Sequence, residues 1–159
     1  MSTKFYDKPD NQIPDFSDNS KLTAKEYLAS QKKFHKNGKP RLHPESDLQA
    51  SAVIWFKYNF PQLHPLLFSV PNGSKRTKAQ SAILIKEGAV SGVSDLIMLI
   101  PNKHYNALCL ETKTTKGSQS DTQKVFQQAV ESQGYCYKIY RSLDEFRDII
   151  HKYLNHFEL

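Results

Sequence analysis

VSDLIMLIPNKHYNALCLETK, residues Val93–Lys113, places two apolar runs on either side of a polar turn. Asp95–Ile100 and Ala107–Lys113 are strand-like and PNKHYN at Pro101–Asn106 joins them, so a β-hairpin is expected. Successive strand residues point to opposite faces, yet both sets are apolar here, which implies a sheet covered on both sides. If the strands pair evenly about Lys103, Leu99 lies opposite Ala107, Ile97 opposite Cys109, and Asp95 opposite Glu111. Directly paired residues have Cβ atoms about 5 Å apart, close enough for two carboxylates to share one cation. Lys113 comes two residues after Glu111 and falls on the same face.

Outward from the hairpin, the remaining elements alternate. On the N-terminal side, Thr77–Glu87 reads as a helix stopped by Gly88, and PNG at Pro71–Gly73 ends a short strand at Leu66–Val70. Pro44–Asn59 reads as a helix, with Leu48, Ala52, Trp55 and Phe56 forming an apolar stripe. Thr23 with Glu26 opens a further short helix, to about Phe34, in capping-box spacing. On the C-terminal side, Ser120 with Gln123 opens a helix to about Gln133, ended by Gly134. Tyr135–Tyr140 is a strand, and Ser142 with Glu145 caps a last helix to about Leu154. The order predicts an α/β fold, a mixed sheet with helices on both faces.

The chain has 159 residues, enough for one domain of ordinary size, and a formal charge of +6. That charge is local. Residues 21–41 hold six Lys and Arg41 against the single acid Glu26, whereas 42–159 hold thirteen basic and eleven acidic residues. Residues 1–41 therefore read as a flexible, basic extension carrying the short helix, and 42–159 as the folded domain. A basic segment beside a nearly neutral body suits a polyanion such as nucleic acid, and equally suits a solvated helix. Cys109 and Cys136 lie in apolar runs without CxxC or zinc-ligand spacing, as reduced core thiols of the cytosol do. No apolar segment resembling a signal peptide opens the chain, and the longest aliphatic run, Leu96–Ile100, is far short of a membrane span. A soluble cytoplasmic protein with no membrane partner is expected.

Two acids and a lysine meeting where a hairpin opens suit one chemistry in particular. Hard carboxylate oxygens favour Mg²⁺, which keeps several waters and takes one or two protein carboxylates plus substrate phosphate. A bound metal acidifies its water, and a neighbouring lysine stabilises charge developing on phosphate. An ordinary ion pair of Lys113 with Asp95 or Glu111 fits the spacing as well. The six histidines are scattered without a partner acid, and no Ser or Cys nucleophile pattern is present.

The run from Glu45 to Lys152 resembles the VRR-NUC family of the PD-(D/E)xK nuclease superfamily. The resemblance is carried by ESDLQ at Glu45–Gln49, PNGSKR at Pro71–Arg76 and EGAVSGVSDLIML at Glu87–Leu99. It continues in LETK at Leu110–Lys113, SDTQ at Ser120–Gln123 and GYCYKIYRS at Gly134–Ser142. Ser94 departs from the pattern, where the family has Pro before the aspartate; that position shapes backbone and is no ligand. The resemblance implies a restriction-endonuclease-like core with a four-stranded sheet flanked by helices. It implies Asp95 and Glu111 as metal ligands, the Thr112 carbonyl as a further one, and Lys113 as the group that orients water or stabilises the transition state. Glu45 resembles the family's helix acid, a third carboxylate acting through water, although a first-turn acid is also favoured by the helix dipole. Gln123 matches a glutamine beside the site, and its capping box with Ser120 can coexist with that role. Asn72, Gly73, Lys75 and Arg76, with Lys116, suit contact with DNA phosphates; an ordinary surface turn is the alternative.

These features together lead us to expect a Mg²⁺-dependent DNA endonuclease, with Mn²⁺ able to substitute. Stand-alone, often phage-encoded relatives resemble dimeric Holliday-junction resolvases, so branched DNA and a homodimer are expected, in the host cytoplasm if the chain is phage-encoded. Trp55, Phe56, Tyr58 and Phe60 carry more aromatic area than one helical stripe buries, which offers an interface. The alternatives are a nuclease acting on flaps, ends or plain duplex, and a catalytically silent DNA-binding module.

Overall fold

A computed structural model describes residues 44–71 and 77–155. Helix α1 (Pro44–Asn59) leads through a 3₁₀ turn at His64–Leu66 into strand β1 (Leu67–Ser69), followed by helix α2 (Lys78–Lys86). Strands β2 (Leu96–Met98) and β3 (Leu108–Thr112) form the hairpin; helix α3 (Asp121–Ser132), strand β4 (Cys136–Tyr140) and helix α4 (Leu143–Leu154) complete the fold. The four strands lie in chain order, β1, β2 and β3 antiparallel and β4 parallel to β3. The sheet is thus mixed, with the parallel step crossing over through α3. The expected helix at Thr23–Phe34 and the turn residues Asn72–Arg76 lie outside the described residues.

The hairpin register is the one its turn symmetry predicts. Ile97 faces Cys109, flanked by Leu96 against Leu110 and Met98 against Leu108. Pairing is shorter than the apolar runs, so Asp95 stands just before β2 and Lys113 just after β3, at the opened end. Every residue of β3 is buried, as a central strand covered on both faces requires.

One face carries the main core. Leu96, Met98, Leu108 and Leu110 pack with Ala52, Trp55 and Phe56 of α1 and with Phe146, Ile150, Tyr153 and Leu154 of α4. The opposite face carries Asp95, Ile97, Cys109 and Glu111, and α3 covers its β4 side, where Phe126 meets Tyr137 edge-on at 6.4 Å. Beyond α3 that face is exposed among the described residues. Leu66, Phe68 and Leu99 stand 38%, 41% and 52% exposed on it.

The aromatic cluster at the end of α1 behaves differently from the expectation of an interface. Trp55 and Phe60 are each 3% exposed and Phe56 is fully buried, with Trp55 edge-on to Phe60 and Phe146. Helix α4 absorbs this area within one chain because its own aromatic Phe146 and His151 supply edges for Trp55. Only Tyr58 of the four remains at the surface. Among the described residues no helix is long and apolar enough to cross a membrane.

Caps set the helix starts. Thr77 closes a capping box with Gln80 at the head of α2. Ser142 accepts from the Glu145 amide at 3.1 Å, but the Glu145 carboxylate accepts from Arg141 N at 2.6 Å, one residue earlier than a closed box requires.

Candidate active site

Glu111 is the centre of the arrangement. It sits on the central strand, fully buried, and its Oε1 accepts from Lys113 Nζ at 2.6 Å and from the Gln123 amide. Its Oε2 accepts from the Tyr137 hydroxyl at 3.3 Å. Lys113 is itself buried, 8% exposed, so its ion pair with Glu111 lies away from bulk water. Burying either charge alone would be costly, and the pair with its added hydrogen bonds offsets that. Burial pushes the Glu111 carboxyl above its ordinary range; the Lys113 bond opposes the shift and the Asp95 charge adds to it. The site therefore holds an acid whose ionised form calls for a nearby cation, a common property of functional carboxylates.

Asp95 approaches from the neighbouring strand end. Its Oδ2 accepts from Thr112 N at 2.9 Å, which fixes the carboxylate against the backbone beside Glu111. Lys113 N continues the parallel ladder to Tyr140 O at 3.0 Å, and Thr112 Oγ1 donates to Tyr140 OH at 2.6 Å. The segment Glu111–Lys113 is thus held from both sides, by β2 and by β4.

Gln123 makes two contacts at once. Its Oε1 accepts from Ser120 N at 2.9 Å, closing the capping box of α3, while its Nε2 donates to Glu111. An amide can do this and a carboxylate cannot, because the second bond needs a donor. Gly92 makes the docking of α3 possible. Its φ is +85°, and a Cβ there would stand 2.8 Å from Gln123 N and nearer still to the Thr122 carbonyl. The loop into Asp95 and the first turn of α3 therefore touch backbone to backbone. Ser94, buried in that loop, donates to Leu96 O at 3.2 Å.

Glu45, in the first turn of α1, reaches the chain just beyond Lys113: its Oε1 accepts from Thr114 N at 3.0 Å. Thr114–Gly117 is a turn closed by Gly117 N to Thr114 O at 3.0 Å, and Arg141 donates to Gly117 O at 3.2 Å. Lys116 is exposed in this turn. Asn72, Gly73, Lys75 and Arg76 lie outside the described residues.

Among the described residues no three His, Cys, Asp or Glu side chains form a ready metal-holding group. The donors fit Mg²⁺ in kind nonetheless. Asp95 and Glu111 offer hard carboxylate oxygens, the donor type this ion prefers, and they are close enough for the Asp95 charge to push the Glu111 carboxyl further up.

The family model described as the VRR-NUC domain matches residues 44–143, well over half of the chain. The chain belongs to the VRR-NUC family. A solved structure described as a VRR_NUC domain protein is similar to it with a TM-score of 0.63 and 20% identity, covering 77% of this chain and 94% of that one. At that identity the likeness shows the shared fold, an α/β arrangement with a mixed four-stranded sheet flanked by helices. No curated protein matches the sequence. Membership of the VRR-NUC family implies a nuclease-type function related to DNA.

Within this VRR-NUC domain, Tyr137 is the site residue that sequence reasoning passed over. It lies in the GYCYKIYRS run, on the strand face shared with Cys109, its partner in the parallel register. Strand alternation places it toward α3 rather than the main core, but only the parallel pairing of β4 with β3 brings its hydroxyl to Glu111. Burial, and then the Glu111 charge, hold its phenol well above the ordinary range, so it stays a donor.

Proposed function

We propose that this VRR-NUC protein is a metal-dependent endonuclease that hydrolyses phosphodiester bonds in DNA and selects branched substrates, as junction resolvases do. The observation that supports catalysis most is the buried Glu111, joined to Lys113 and Gln123 and beside Asp95. A protein that only bound DNA would have no use for two clustered acids facing a polyanion. Mg²⁺, or Mn²⁺ in its place, would be held by Asp95, Glu111 and the Thr112 carbonyl, with Glu45 acting through water; it supplies an acidified water and charge neutralisation on phosphate. Lys113 supplies an ammonium donor where charge develops on the phosphate oxygens. Gln123 keeps Glu111 from rotating. Glu45 ties the Thr114–Gly117 turn to α1, so that exposed Lys116 is presented to the DNA backbone. Asn72, Gly73, Lys75 and Arg76 are assigned to further phosphate contacts on the sequence pattern alone.

A junction-cutting enzyme needs two sites related by a two-fold axis, which a symmetric homodimer supplies. Among the described residues, apolar surface available to such a contact includes Leu66, Phe68 and Leu99 on the exposed part of the sheet face and Ile83 and Ile85 of α2. The second reading, a nuclease of flaps, ends or plain duplex, uses the same residues as a monomer.

Labelled junction, flap and duplex DNA incubated with and without Mg²⁺ separates these readings. The expected result is metal-dependent cleavage, fastest on the junction, abolished by Asp95→Asn and by Glu111→Gln with DNA binding retained. Cleavage by either variant at the wild-type rate would overturn the assignment. Light scattering that shows a monomer with and without junction DNA would favour the second reading.

A further inference from the structure

The two oxygens of Glu111 are unequally engaged. An ionised carboxylate offers roughly four acceptor positions. Lys113 and Gln123 both donate to Oε1, whereas Oε2 receives only Tyr137 among the described residues. Tyr137 is in turn held from α3. Phe126 braces the ring edge-on. The phenol has a single proton, and it is directed at Glu111.

We propose that Tyr137 is a positioning residue for a divalent cation: its hydroxyl sets the rotation of the Glu111 carboxylate so that the unengaged position on Oε2 is presented together with Asp95. The inference rests on the reading of Asp95 and Glu111 as the cation-binding pair. Lys113 and Gln123 fix one oxygen, Tyr137 fixes the other, and the carboxylate is pre-oriented before any cation arrives. Groups that orient a ligand in this way are typically worth roughly 10- to 100-fold in metal affinity.

Calorimetric titration of the full chain with Mg²⁺ and with Mn²⁺, in the absence of DNA, tests this without reference to cleavage. Tyr137→Phe removes the hydroxyl and keeps the ring; the expected result is a metal Kd weakened about tenfold or more. Tyr153→Phe is the control, since it removes a phenol bonded to Ile100 O in the main core, and its Kd should match wild type. A purely structural role for Tyr137 would lower thermal stability, as is expected of Tyr153→Phe, and leave Kd unchanged; that result overturns the proposal. If Tyr137→Phe does not fold, Phe126→Leu serves, since it keeps the phenol and removes the ring that braces it. A weaker Kd there supports the proposal and an unchanged one overturns it. Glu111→Gln separates the two levels of inference. Wild-type affinity in that variant sinks the cation-site reading itself, whereas abolished affinity there with an unchanged Kd in Tyr137→Phe sinks only the role of Tyr137.

Discussion

Replacing Gly92 by alanine should damage both the stability and the chemistry of this domain, and Gly88 provides the matched control. Both glycines have positive φ, +97° at Gly88 and +85° at Gly92, so an alanine at either carries the strain of a left-handed conformation, about 1–2 kcal/mol. They differ in what surrounds the added carbon. At Gly88 a Cβ meets nothing within 4 Å, whereas at Gly92 it collides with the backbone of Thr122 and Gln123. Backbone cannot rotate aside as a side-chain tip does, so α3 or the loop must shift, at a further cost of roughly 1–3 kcal/mol. Gly88→Ala should therefore lose about 1–2 kcal/mol, and Gly92→Ala about 2–5 kcal/mol. The shift also carries a functional consequence, because the displaced turn bears Gln123, whose amide holds Glu111. Urea denaturation of both variants gives the stability difference, and single-turnover cleavage below the transition gives the chemical one. Gly92→Ala should be slower than Gly88→Ala even when both are fully folded. Equal losses in stability, or an undiminished rate in folded Gly92→Ala, would refute the argument that α3 is docked through this contact.

Other parts of the molecule carry three further expectations. Lys113→Ala should lower single-turnover cleavage by roughly 10²–10³ with DNA affinity little changed; a fall in affinity alone would make Lys113 a phosphate contact instead. Burial, and then the Arg147 charge, hold the His151 imidazole below its ordinary value of 6.5, with Asp148 opposing. The unfolded chain takes up that proton first, so stability is full above 6.5 and falls as pH drops below it. His151→Phe, which keeps a ring against Trp55, should flatten this decline in thermal denaturation against pH, and an unaltered decline would clear His151 of it. Deleting residues 1–41 should reduce the slope of log K against log salt by about 0.9 for each duplex phosphate that the segment neutralises, while metal affinity holds; an identical slope would mark the basic segment as solvated surface only.

Much of the site was legible because its parts are local. Asp95, Glu111 and Lys113 belong to one hairpin, and a turn with apolar runs on both sides leaves few registers open. A slip of one residue would turn each strand's side chains to the opposite face. Ser120 and Gln123 are three residues apart on one helix start, so their capping box is written in adjacent sequence and needs no partner from elsewhere. The aromatic cluster was not legible in the same way. Trp55 and Phe60 read as surplus apolar area, because nothing in Pro44–Phe60 reveals that α4, some ninety residues on, brings Phe146 and His151 to cover them.

The amino-acid order alone specified the hairpin and its register, most helix starts, the clustering of two acids with a lysine, and the resemblance to the VRR-NUC family. Hydrophobic period, turn residues and caps act over a few positions, and each leaves its mark where it acts. Tertiary packing settled what reaches those residues from a distance. It placed β4 parallel beside β3, which brings Tyr137 to Glu111. It set Gly92 against the first turn of α3 and carried Glu45 to the Thr114 amide, 69 residues away. Such contacts depend on how finished elements pack, through backbone approach and shared burial. No periodicity in the chain encodes that, because neither partner's local conformation requires the other.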